Sequence, residues 1–200
     1  MSKVPSITPY FDKKISRRLK MYFDLATPQH IARGMSWYKE ANKEVEEMHK
    51  EYKGITIWQI GGMVSALSPR NNWERNLYDT RQVLDALRHN IHPEKIKVCT
   101  FNSNKYKAFA IGAGLREITK DSRKTYSFLK NIVELDPNYV TIDVWHLRAC
   151  FGKTMETGLT KKRYDDIASI TIREAKKRGL FGYQYQAIIW ECIRDRDEIL

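Results

Sequence analysis

The sequence predicts an all-α protein, and three observations predict it. Apolar residues recur at three- and four-residue spacing in one segment after another. These segments open on Thr, Asn, Asp or Pro, which suit a helix start, and short Gly-, Pro- and Asn-containing breaks separate them. No two segments alternate apolar and polar residues in a way that would pair them as strands, and nothing repeats at a solenoid period.

In chain order, residues 1–12 carry two prolines and little periodicity, so a loose N-terminal arm is expected, followed by one helical domain over 13–200. "DKKISRRLK" is a basic run with helical character. The first strong helix opens on Thr27 as N-cap with Pro28 in its first turn. Ile31, Met35, Ala41, Val45 and Met48 form its apolar face, which Gly34 weakens. "ITIWQIGGMVSAL" reads as a buried helix with Ile57, Ile60, Val64 and Leu67 on one side. After the "SPRN" break, Trp73, Leu77, Leu84 and Leu87 define the next helix. Asn102 or Ser103 is expected to cap "KYKAFAIGAGL", and the polar patch "TKDSRK" precedes "TYSFLKNIVEL". A helix follows Asp143, Thr160 caps "KKRYDDIASITIREAKKR", Gly179 ends it, and "YQYQAIIWECIRDR" closes a set of eight or nine helices.

A hydrophobic fraction of 42% with five Trp excludes a disordered chain. Lys and Arg number 35 against 24 acids, a net charge of +11, which favours a polyanionic partner, nucleic acid first. The basic stretches at Lys13, Lys14, Arg17, Arg18 and Lys20, and at Lys161, Lys162 and Arg163, suit a phosphate backbone or a solvated face. Cys99, Cys150 and Cys192 are an odd, dispersed set, expected as buried thiols in a reducing compartment. No Cys or His spacing suits a metal, so no cofactor is expected. No apolar run has the length of a membrane span, and the N-terminus lacks a signal-peptide core, so a cytoplasmic protein without a membrane partner is expected.

The stretch "VTIDVWHLRACFG" places one carboxylate, Asp143, between a short apolar run and a helical segment. Two roles fit: an N-cap that accepts free backbone N–H groups, or a carboxylate that does chemistry. Three stretches bear on the choice: "MVSALSPRNNWERNLYDTRQVLDAL", "FNSNKYKAFAI", and "SRKTYSFLKNI" followed by "VTIDVWHLRAC". In this order they resemble the early core helices, the "YNSKA" segment and the "GRKTA…VDTHIFRV" block of helix-hairpin-helix DNA glycosylases of the endonuclease III type. The resemblance covers roughly residues 55–152.

This resemblance implies a two-lobed helical bundle and an enzyme that flips a nucleotide out of DNA, single- or double-stranded, and hydrolyses its N-glycosidic bond. The family's catalytic carboxylate falls on Asp143. Its catalytic lysine, where present, falls on or beside Lys124, 19 residues earlier. Lys124 and Arg123 equally suit a phosphate contact. Asn71 and Asn72 fall where the family fills the gap left by a flipped base, though Asn also serves turns, and Trp73 fits the core. Trp145 and His146 follow the acid as supports of the site and are counted among its expected substrate contacts.

The chain also departs from the family. The glycine-rich hairpin is replaced by "REITKDSRK", with no glycine, and the linker before it is short. Phosphate binding then passes to side chains such as Lys120, Ser122, Arg123 and Lys124, or is lost. The four-cysteine loop is missing, and Cys192 alone ligates no iron–sulfur cluster. A shortened, divergent, monomeric branch of the kind phages carry, acting in the host cytoplasm, is the expectation. The alternative is a non-catalytic nucleic-acid-binding module on the same scaffold.

Overall fold

Helix starts follow the caps written into the sequence. In the computed structural model, which describes residues 9–152 and 159–197, α1 spans Pro9–Asp24 and α2 Pro28–Glu51. The Thr27 hydroxyl accepts the His30 N–H at 3.2 Å to open α2. Thr56 and Gln59 form a reciprocal capping box at the start of α3 (Ile57–Leu67). Asn72 caps α4 (Trp73–Arg88). Next come α5 (Asn102–Gly112) and α6 (Arg123–Glu134). Asp143 caps α7 (Val144–Phe151), Thr160 caps α8 (Lys161–Lys176), and α9 is Gly182–Asp197. Among the described residues there are nine α-helices and no strand, so the protein is all-α as expected.

Three local expectations change. Of the expected arm, residues 1–8 lie outside the described residues, while α1 already begins at Pro9; Arg173 holds Asp12 in its first turn through a 3.0 Å bond. α5 starts behind Phe101 instead of Asn102 or Ser103, because the Phe101 carbonyl takes the N–H groups of Asn104 (2.9 Å) and Lys105 (3.2 Å). Ile31 and Met35 are exposed, although Ala41, Val45 and Met48 on the same helix are buried.

The reason for that last change is Gly34. A Cβ at Gly34 would lie 2.5 Å from the Ile188 nitrogen and 2.6 Å from its Cα, so α9 packs backbone to backbone against this turn. The buried face of this part of α2 is therefore His30, Gly34 and Tyr38. Helix propensity alone favours Gly34→Ala by ~1 kcal/mol. The contact with α9 reverses that sign, and Gly34→Ala is expected to destabilise the protein by about 1–3 kcal/mol in a thermal or urea melt.

The chain divides into two compact units. One comprises the described residues up to Glu40 and those from Asp136 onward; the other is Ala41–Leu135. In the second, α3 is the central helix, buried from Ile60 to Leu67 and packed by α4, α5 and α6. A Cβ at Gly61 would meet Val133 at 2.3 Å, so the glycine lets α6 lie close. In the first, α1, α7, α8 and α9 enclose a core containing Ile15, Leu19, Val140, Ile142, Cys150, Ile167 and Tyr185. Cys192 is buried there too, whereas Cys99 is exposed, against the expectation of three buried thiols.

Candidate functional site

The segment leading to Asp143 is extended and has no partner strand; side chains satisfy its backbone instead. The Tyr164 hydroxyl donates to the Val140 carbonyl (2.8 Å) and accepts from the Ile142 N–H (2.9 Å). Thr141 bonds the Tyr38 phenol, which donates to Gln186 Oε1 at 3.0 Å. Burial pushes the Tyr38 phenol up, and the nearby Asp143 carboxylate adds to the effect.

At the end of this segment Asp143 Oδ1 accepts the His146 N–H at 2.8 Å and opens α7, so the cap expected of this residue is formed. Asp143 itself is half-buried. A capping amide and a helix N-terminus both stabilise a carboxylate there. Beside it Val144 is exposed and Trp145 half-buried, with the Arg148 guanidinium 4.5 Å from the indole centroid. At the other end of α7, Arg18 donates to the Ala149 carbonyl at 2.8 Å.

His146, placed among the substrate contacts by sequence, is only 1% exposed. Thr171 gives its proton to the Ile167 carbonyl (2.9 Å), so it accepts from His146 Nε2–H (2.9 Å). That fixes the tautomer and leaves Nδ1 a buried acceptor without a hydrogen-bond partner. Burial pushes this imidazole down to about 3 from its ordinary 6.5. The expected substrate contact is corrected to an internal brace of α7. Unfolded His takes up a proton near 6.5 and folded His146 does not, so stability falls as pH drops through that window. The loss is about 1.4 kcal/mol per pH unit. Urea melts from pH 7 to pH 4 should show this slope, reduced by about one proton in His146→Gln.

The remaining sequence candidates lie in the second unit. Asn71 Nδ2 donates to the Leu67 carbonyl (3.3 Å) and to Asp79 Oδ2 (3.0 Å), and Asn72 Oδ1 accepts the Arg75 N–H at 2.8 Å. Both side chains thus build the turn. Trp73 is half-buried, its ring edge-on to Phe128 at 6.5 Å. Lys120, Ser122 and Lys124 are exposed and Arg123 is half-exposed, all at or just before the start of α6. Ser122 makes no side-chain cap, and the first turn of α6 holds two cations and no acid, against the helix dipole. Lys124 and Asp143 belong to different units.

Sequence reasoning passed over Asp79. Its side chain is 0% exposed and joins two loops: Oδ2 accepts from Asn71 and from the Cys99 N–H (2.7 Å), and Oδ1 pairs with Arg75 Nε at 2.8 Å. On the surface of these loops, Arg70 adopts a left-handed backbone (φ 56°) and its guanidinium lies 5.0 Å from the exposed Phe101 ring. Arg75 stands 5.0 Å from the exposed Tyr78 ring. A non-glycine residue at positive φ and an aromatic at an uncapped helix start both run against local preference, a pattern found at functional surfaces. The cue in the sequence was an acid one turn past "RNNWER" and one turn before Val83.

The sequence matches a family described as a family of unknown function, DUF7178, over residues 1–197. The chain belongs to that family. No curated protein and no solved structure matches it. No helix among the described residues is long and apolar enough to cross a membrane.

Proposed function

We propose that this protein is a DNA-processing hydrolase that extrudes a nucleotide and cleaves its N-glycosidic bond, with Asp143 as the catalytic carboxylate. The observation that carries this reading is the mounting of Asp143: a half-buried acid at a helix start that accepts the His146 N–H and is preceded by a segment that Tyr164 and Tyr38 hold in place. Leaving of the base builds positive charge on the sugar, which a fixed carboxylate stabilises. The same oxygen pair orients a water at C1′ and accepts its proton as the C–O bond forms and the C–N bond breaks. Unstacking costs a few kcal/mol, least for an unpaired or modified base, and this favours such substrates. Arg70 with Phe101, and Arg75 with Tyr78, offer stacking and phosphate contacts in the second unit, and Lys120, Arg123 and Lys124 add cations. Lys124 serves here as a phosphate contact, and the reaction is hydrolysis without strand nicking.

A second reading, a nucleic-acid-binding module without turnover, is favoured by the glycine-free loop before α6. One assay separates the two. Purified protein is incubated with single- and double-stranded DNA, plain or carrying uracil, alkylated, oxidised or hypermodified bases, and then treated with alkali. Breaks that appear only after alkali support the hydrolase. Breaks already present before alkali would make Lys124 a nucleophile, and salt-sensitive binding without breaks on any substrate would leave the module.

A further inference from the structure

We propose that Tyr164 is a positioning residue for Asp143, its single hydroxyl replacing the missing neighbour strand that would otherwise fix the segment before the acid; this rests on the reading of Asp143 as the catalytic carboxylate. In an extended segment, the carbonyl of residue 140 and the N–H of residue 142 point to the same edge. Tyr164 meets both, at 2.8 and 2.9 Å, from a helix 22 residues away in sequence. The phenol is buried, so water does not supply these bonds when it is removed.

Two turns further along α8, Thr171 takes the Nε2–H of His146, the residue whose backbone N–H the Asp143 carboxylate accepts. One face of α8 therefore grips the chain on both sides of the acid, through Tyr164 before it and Thr171 after it. Tyr38 meets the Thr141 side chain, which lies between the two residues that Tyr164 holds. The direction of the Asp143 carboxylate follows from the backbone angles at the junction, here φ −99° and ψ −177°, and those angles depend on residues 140–142 staying in place. A shift of about 1 Å in a reacting group slows catalysis by roughly two orders of magnitude, so a small loosening is measurable.

The test compares Tyr164→Phe, which removes only the oxygen, with Ile170→Val, a core change on the same helix that removes no hydrogen bond. Amide exchange at Ile142 and the carbon-13 carboxyl resonance of Asp143 are followed in the full chain, together with abasic-site formation and DNA affinity. In Tyr164→Phe, the Ile142 amide is expected to exchange roughly tenfold faster than in Ile170→Val. The Asp143 resonance moves, and the rate at saturating DNA falls roughly tenfold with Kd unchanged. Ile142 exchange and an Asp143 resonance indistinguishable from those of Ile170→Val would overturn the proposal. So would a loss confined to DNA affinity. If wild type forms no abasic sites while both spectroscopic readouts respond, Tyr164 still positions Asp143, and the N-glycosidic reading is what fails.

Discussion

Asp143→Asn is expected to lower abasic-site formation by roughly 10²–10⁴-fold, the range a positioned acid–base group contributes. The fold should survive the change. Asn caps a helix about as well as Asp, so the His146 N–H keeps an acceptor and α7 keeps its first turn. DNA affinity should hold too, because the cations and exposed aromatics of the second unit are untouched. The variant thereby separates the two roles this residue fits. Cap function is preserved by the amide, whereas stabilising positive charge on the sugar and taking a proton from water need the carboxylate. Equal rates for Asn and Asp, with the melting temperature unchanged, would reduce Asp143 to a cap and place the catalytic group elsewhere in the protein. A melting temperature that collapsed together with the rate would assign the loss to the cap of α7 and overturn the catalytic role argued from this variant.

The second large effect is expected at Asp79. Asp79→Ala removes a buried carboxylate that satisfies the Asn71 amide, the Cys99 N–H and Arg75 at once. Arg75 is 44% exposed and rehydrates, but the Cys99 N–H and the Asn71 amide lose a partner inside the protein. Leaving buried donors without this acceptor costs about 1–3 kcal/mol each, and a urea melt reads it directly. Asp79→Asn keeps the volume and a single acceptor oxygen, so a smaller loss of about 2 kcal/mol is expected. A second consequence separates this residue from an ordinary core acid. Asp79 holds together the loops that carry Arg70 and Phe101, so even Asp79→Asn should weaken binding to single-stranded DNA at a temperature where the protein is fully folded. A stability loss with unchanged affinity would assign Asp79 to the fold alone and remove the Arg70–Phe101 surface from the DNA contacts.

Most helix starts were legible because they are local. Thr27, Thr160 and Asp143 each accept an N–H three residues on, and that distance lies within the reach of sequence pattern. The buried helix before "SPRN" was legible for the same reason, since the apolar run itself identifies it. The start of α5 was not. Asn102 is the better cap by propensity, yet the chain places Phe101 there and leaves the aromatic exposed. The exposure of Ile31 and Met35 was likewise hidden, because periodicity shows that a helix has an apolar face but not which part of it a neighbour covers.

The candidate site divides along the same line. Asp143 stood out as a lone acid at a junction, and its cap was predicted with it. The brace around it was not visible. His146 reads as a site residue until Thr171, 25 positions on, takes its ring N–H and closes it into the core. Tyr164 carries no local signal, since its two partners lie 22 and 24 residues back.

The sequence by itself determined the all-α class, most helix boundaries, the excess of positive charge and the position of the acid that caps α7. These follow from caps, periodicity and composition, which act over a few residues or over the whole chain at once. Only the tertiary structure decided that Gly34 is a contact surface, that Asp79 joins two loops and that His146 is buried with one tautomer. It also decided that one tyrosine stands in for a strand. Each of these depends on a partner 20 to 154 residues away, where close packing and the demand that buried polar groups be paired choose among arrangements the local sequence leaves equal.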